Sequence, residues 1–133
     1  MGIQLGMVVL DVQDLQRSID FYRLLGLEIP DPSPDRPVTL LRMDSGVSIV
    51  IGEGLGAGSD PGWTRPASGY QVFLEFFVGD DAAVDAEWEK LTSAGYHGRS
   101  APAKSVGPYG ALIDDPDGNV ILISSDVGAD PGP

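Results

Sequence analysis

Glu75 is the residue in this chain best placed to do chemistry. It lies inside an apolar, aromatic run, Val72-Phe73-Leu74-Glu75-Phe76-Phe77-Val78. A carboxylate buried without a partner is costly, so Glu75 needs an internal cation such as Arg42, water, exposure at a rim, or a cationic ligand. It could also act as general base in a lyase or isomerase. A third use is as a metal ligand together with Gln71 and His97. His97 is the chain's one histidine. It follows a helix in a Gly-Tyr-His-Gly segment and reads as an exposed turn residue, because ligation would need partners that are not nearby. With no cysteine and a single histidine, no Ser/His/Asp or Cys/His nucleophile is available, and no catalytic residue is assigned. The glycines at 52–58 lack the Gly-Lys-Ser/Thr ending and the strand–helix context of a phosphate loop.

Composition narrows the partners. The net charge is −12, with 8 basic against 20 acidic residues. Duplex nucleic acid requires a basic footprint, so none is expected as a partner. An acidic balance serves solubility, or a field that attracts a cation. The 133 residues, 42% hydrophobic, suit one compact domain or two small interdependent modules. No apolar run approaches the roughly 20 residues of a membrane span. The N-terminus has no basic-then-apolar leader, so neither a membrane nor a signal peptide is expected. The absence of cysteine suits a reducing cytoplasm, the expected location.

The elements that position these residues come as a repeat. Gly6–Gly26 reads strand, then Asp14 as helix N-cap, then Leu15, Ile19 and Tyr22 as an apolar helix face, then Gly26 as the stop. Val72–Val78, Asp80, the Val84/Trp88/Leu91 face and Gly95 repeat the plan about 66 residues later. Val38–Met43 and Val47–Ile51 form a hairpin through Asp44-Ser45-Gly46. Tyr109–Asp114 and Asn119–Ser124 form another through Asp115-Pro116-Asp117-Gly118, a type I turn. Leu27–Ile29 reads as a short extended piece and Tyr96–Ser105 as an irregular one. The expected organisation is a βαβββ module at 1–51, a Gly/Pro-rich connection at 52–69, a second βαβββ module at 70–125, and a frayed tail at 126–133. Trp63, in the connection, either covers the seam between modules or is a lid on a ligand.

Tandem βαβββ modules with Val12–Tyr22 (VQDLQRSIDFY), Leu25-Gly26-Leu27, Phe76–Asp80 (FFVGD) and Asp114–Ile123 (DDPDGNVILI) resemble the vicinal oxygen chelate superfamily. It comprises glyoxalases, bleomycin resistance proteins and extradiol dioxygenases. The resemblance implies an α+β fold whose two modules form a cup-shaped mixed sheet, paired across a homodimer with exchanged modules. It also implies four metal-ligand positions, which here are Met7, Val50, Phe73 and Leu122. All are apolar, and a thioether does not suit the zinc, nickel, iron or magnesium such sites use. The resemblance therefore implies no metal and no cofactor. It points to the metal-free, antibiotic-binding branch, and within it to mitomycin-binding relatives, on Leu27-Glu28-Ile29-Pro30, Pro61-Gly62-Trp63-x-x-Pro66-x-x-Gly69 and Glu75-Phe76.

Strand alternation then lists what lines the cup. Met7, Val9 and Asp11 face inward together, as do Gln71, Phe73, Glu75 and Phe77, while Leu122 takes Ser124 with it. Leu74, Phe76 and Val78 pack on the helix. The expected ligand is planar or cationic, held by Met7, Val9, Trp63, Phe73, Glu75, Phe77, Tyr109 and Leu122. Sequestration without turnover is the leading expectation. A metal-independent lyase or isomerase and a divalent-metal glyoxalase- or dioxygenase-type enzyme are the alternatives.

Overall fold

A computed structural model describes residues 2–65, 72–104 and 109–125. The chain divides into two compact units, Met1–Pro66 and Ala67–Pro133. Gln71, residues 66–69 of the connection, residues 105–108 and the 126–133 tail lie outside the described residues.

The first unit runs β1 (Met7–Val12), α1 (Leu15–Leu25), β2 (Val38–Arg42), β3 (Ser48–Glu53) and a short α2 (Leu55–Ser59). Its sheet has the order β1-β3-β2, with β1 parallel and β2 antiparallel to β3. Asp14 caps α1 by accepting the Arg17 N–H at 3.2 Å. Gly26 ends it at φ +120°, its N–H bonded to the Arg23 carbonyl and the next N–H to that of Tyr22. That is the left-handed stop expected of glycine. The buried face of α1 holds Leu15, Ile19 and Tyr22, joined by Ser18, Phe21 and Leu25. Against it lie Leu10, Val12, Ile49 and Ile51, all buried.

Leu27–Ile29 forms no strand, so this unit has three strands. The carbonyl of Ile29 is taken instead by Arg23, at 3.0 Å from Nε and 2.7 Å from Nη2. The segment is thus tied back to its own helix. Nor is the start of the 52–69 connection irregular. Gly52 and Glu53 complete β3, and α2 follows.

The second unit runs β4 (Phe73–Gly79), α3 (Asp81–Ser93), β5 (Gly98–Ala103), β6 (Gly110–Asp114) and β7 (Val120–Ser125). The sheet order is β4-β7-β6-β5, with only the β4–β7 pair parallel. This is a complete βαβββ unit. Asp80 caps α3 through the Ala83 N–H at 2.9 Å. Val84 and Leu91 are fully buried beneath it, with Ile113, Ile121 and Ile123. Trp88 lies over Gly98 so closely that a Cβ there would stand 2.3 Å from the ring. The β6–β7 turn closes through Gly118 N–H to Asp115 O at 3.0 Å, as the Asp-Pro-Asp-Gly spelling predicts.

Both halves together form an α+β fold of two βαβββ-like modules, each a mixed sheet with helix on one face. No described helix is long and apolar enough to cross a membrane.

Candidate functional site

The open face of the second sheet carries Glu75. Register sets its neighbours: Phe73 pairs with Val120, Glu75 with Leu122 and Phe77 with Ser124. Leu122 pairs onward with Leu112, and Ser124 with Gly110. Residues directly opposite across a ladder share a face. Phe73, Glu75, Phe77, Leu122 and Ser124 therefore stand together, and Leu74, Phe76, Ile121 and Ile123 point to the helix. Phe73 and Phe77 are 55% and 54% exposed, high for large rings on a sheet. They stand roughly 13 Å apart along the strand with Glu75 midway.

Glu75 is exposed and has a partner within its own unit. The fully buried Ser124 hydroxyl donates to Glu75 Oε2 at 2.8 Å. Arg42 donates to the Gly46 carbonyl at 3.2 Å, in the other unit. Ser124, Val120, Leu112 and Asp114 also share this face and lie outside the site assigned from sequence. Alternation from Leu122 reaches Ser124, but Leu112 needs the β6–β7 register.

Tyr109 does not join them. Gly110 shares the open face with Ser124, so its predecessor points the other way, toward α3. The Tyr109 hydroxyl donates to Asp85 Oδ1 at 2.6 Å. That hydrogen bond, with some desolvation and the charges of Asp85 and Asp81, raises the phenol pKa above its ordinary value. Ionisation would set a phenolate against a carboxylate, so the neutral form is favoured. Asp85→Asn should bring the Tyr109 titration down toward that of a free tyrosine, read by NMR of ring-labelled protein; an unmoved midpoint would exclude the contact.

The first unit has an open face of its own. Met7, Val9 and Leu40 are 46%, 52% and 46% exposed, and Val9 and Leu40 flank Val50 across the ladder. Asp11 ends this row, but it is occupied. Its Oδ2 accepts the Gly56 N–H of α2 at 2.7 Å. Its Oδ1 faces Arg65 Nη2 at 3.6 Å, near enough for attraction but not a hydrogen bond. Trp63 closes the same corner. Its indole covers Gly56, where a Cβ would come within 2.6 Å of the ring. Arg65 stands 5.4 Å from the ring centroid, a cation–π distance. Trp63 is thus half-buried and anchored within the first unit, at the Asp11 end of the Met7/Val9 face. Glu53 repeats the device on the helix side, accepting the Leu15 N–H of α1 at 2.8 Å. Beside it opens a depression of about 390 Å³ walled by Leu15, Gln16, Glu53 and the Pro32–Pro37 loop.

The open faces offer poor ground for a hard cation. Met7, Val50, Phe73 and Leu122 supply no oxygen or nitrogen donor from their side chains. Asp11 is committed to α2 and Arg65. Among the described residues, no three His, Cys, Asp or Glu groups come together. His97 is exposed, and its described role is through its carbonyl, which accepts the Asp114 N–H at 2.9 Å. The donors present do not fit the divalent metal that the fold implies.

Residues 4–123 match the profile of the Glyoxalase/Bleomycin resistance protein/Dioxygenase superfamily. The chain belongs to that superfamily. A search of curated proteins finds no match. Among solved structures, hypothetical protein SA1046 from S. aureus is 24% identical, with TM-score 0.78 and 94% of each chain covered. A glyoxalase-related enzyme from Fulvimarina pelagi is 21% identical, with TM-score 0.77, covering 92% of this chain and 87% of its own. A lactoylglutathione lyase from Agrobacterium tumefaciens is 20% identical, with TM-score 0.66 and 92% of each chain covered. At such identities the likeness to superfamily members establishes fold and not activity.

Proposed function

We propose that this chain is a metal-free binding protein that sequesters a planar, positively charged small molecule of the antibiotic type. The observation that carries this reading is the open face of the second unit, where two exposed phenylalanine rings flank a carboxylate. Rings offer stacking and cation–π contact, and the carboxylate supplies the opposite charge. The net charge of −12 draws a cation toward it. Met7 and Val9, with Trp63 at the end of their row, give the first unit a second apolar face. Tyr109, turned to α3, is left out of the ligand set. The reading includes a homodimer, because exposed Met7, Val9, Leu40, Val72, Phe73 and Phe77 are the kind of surface that a second copy or a ligand covers. It also includes a cytoplasmic location, which the cysteine-free composition favours.

Titrating a panel of planar cationic dyes by fluorescence anisotropy tests the reading. Saturable binding at micromolar concentration is expected, lost on Phe73→Ala. No binding across the panel would overturn it.

A metal-independent lyase or isomerase is the second reading. It is favoured by Glu75 Oε1, a solvent-exposed carboxylate oxygen between Phe73 and Phe77 that can accept a proton. Turnover lost on Glu75→Gln with binding intact would select it.

A further inference from the structure

We infer that Ser124 is a specificity-determining, positioning residue that makes Glu75 select ammonium-type cations over guanidinium-type ones. The inference deepens the binding reading above and rests on it.

The Ser124 hydroxyl carries a single proton, and that proton goes to Glu75 Oε2. Ser124 is fully buried on β7, so the carboxylate oxygen it holds is drawn down toward the sheet. Its neighbour across the ladder is Gly110, so no side chain there competes with Glu75 for the hydroxyl. Only Oε1 is then presented between Phe73 and Phe77. A guanidinium owes its advantage over an ammonium to a planar fork that engages both carboxylate oxygens at once. With Oε2 held by Ser124 on the sheet side, the second bond of the fork must compete with that hydroxyl for Oε2. A compact N–H⁺ group needs one outward acceptor and an aromatic wall on either side, and both are present. The selection works by denying the competitor its second bond.

The experiment compares naphthylmethylammonium with naphthylmethylguanidinium, measured by calorimetry on the full chain. Wild type should bind the ammonium more tightly. Ser124→Ala removes the hydroxyl at nearly constant volume and frees Oε2, so the affinity ratio should swing toward the guanidinium by about tenfold. Ser124→Thr keeps the hydroxyl and should restore the wild-type ratio. A purely structural role for Ser124 would weaken both ligands alike and leave the ratio unmoved, which would overturn the inference while sparing the binding reading. If wild type binds neither probe while the dye panel binds, ammonium selection is refuted alone; if nothing binds, both fall.

Discussion

Glu75→Gln should weaken the binding of a planar monocation about tenfold. Glutamine keeps the length of the side chain and can still accept the Ser124 hydroxyl, so the sheet should fold unchanged. What is lost is the negative charge between two exposed rings. A hydrogen bond to a charged group contributes roughly 1.5–3 kcal/mol, and because Glu75 is exposed to solvent the lower end of that range applies. The converted loss is about one decade in dissociation constant. A neutral dye of the same shape should be nearly unaffected, because stacking on Phe73 and Phe77 does not depend on the carboxylate. Parallel titrations of both dyes against wild type and variant check this. Equal loss for the two would mean that Glu75 shapes the face and does not read charge.

The largest expected change in stability follows from Asp115→Ala. Asp115 is 3% exposed at the start of the β6–β7 turn. Its Oδ1 accepts the N–H groups of Asp117 and Asn119 at 2.9 and 2.8 Å, and its Oδ2 accepts Asn119 Nδ2 at 2.8 Å. Alanine leaves those donors without their acceptor in a part-buried turn. The expected loss is about 2–4 kcal/mol, seen as a lower urea midpoint at unchanged slope. Asp115→Asn retains one oxygen acceptor and should lose less. The turn joins the two strands that carry Leu112 and Leu122 onto the open face. Slippage there would also degrade ligand binding, since a one-residue shift sends each side chain to the opposite face. A variant as stable as wild type would show that β6–β7 register is held by the ladder alone.

Much of this protein is legible from local spelling. The caps Asp14 and Asp80, the stop at Gly26 and the Asp-Pro-Asp-Gly turn act within a few residues, so each can be recognised without knowing the fold. Alternation in β1 and β4 is equally local: it separates Phe73, Glu75 and Phe77 from Leu74 and Phe76 because successive side chains point to opposite faces. The βαβββ repeat follows from these signals in order.

What the tertiary structure decided lies in partners distant along the chain. Glu75 meets Ser124 across 49 residues, Asp11 meets Gly56 across 45, and Glu53 meets Leu15 across 38. Tyr109 turns to α3 because Gly110 pairs with Ser124, a matter of register between strands. Leu27–Ile29 joins no ladder, and the Ile29 carbonyl is met by Arg23 of α1. α2 is not legible in Leu-Gly-Ala-Gly-Ser, which has weak helical propensity, and its Gly56 N–H is met by a carboxylate from β1. Amino-acid spacing along the chain therefore established which side chains share a strand face. Only the packing of strands and helices established which acids already have a partner, and a carboxylate's chemistry depends on whether its oxygens are already engaged.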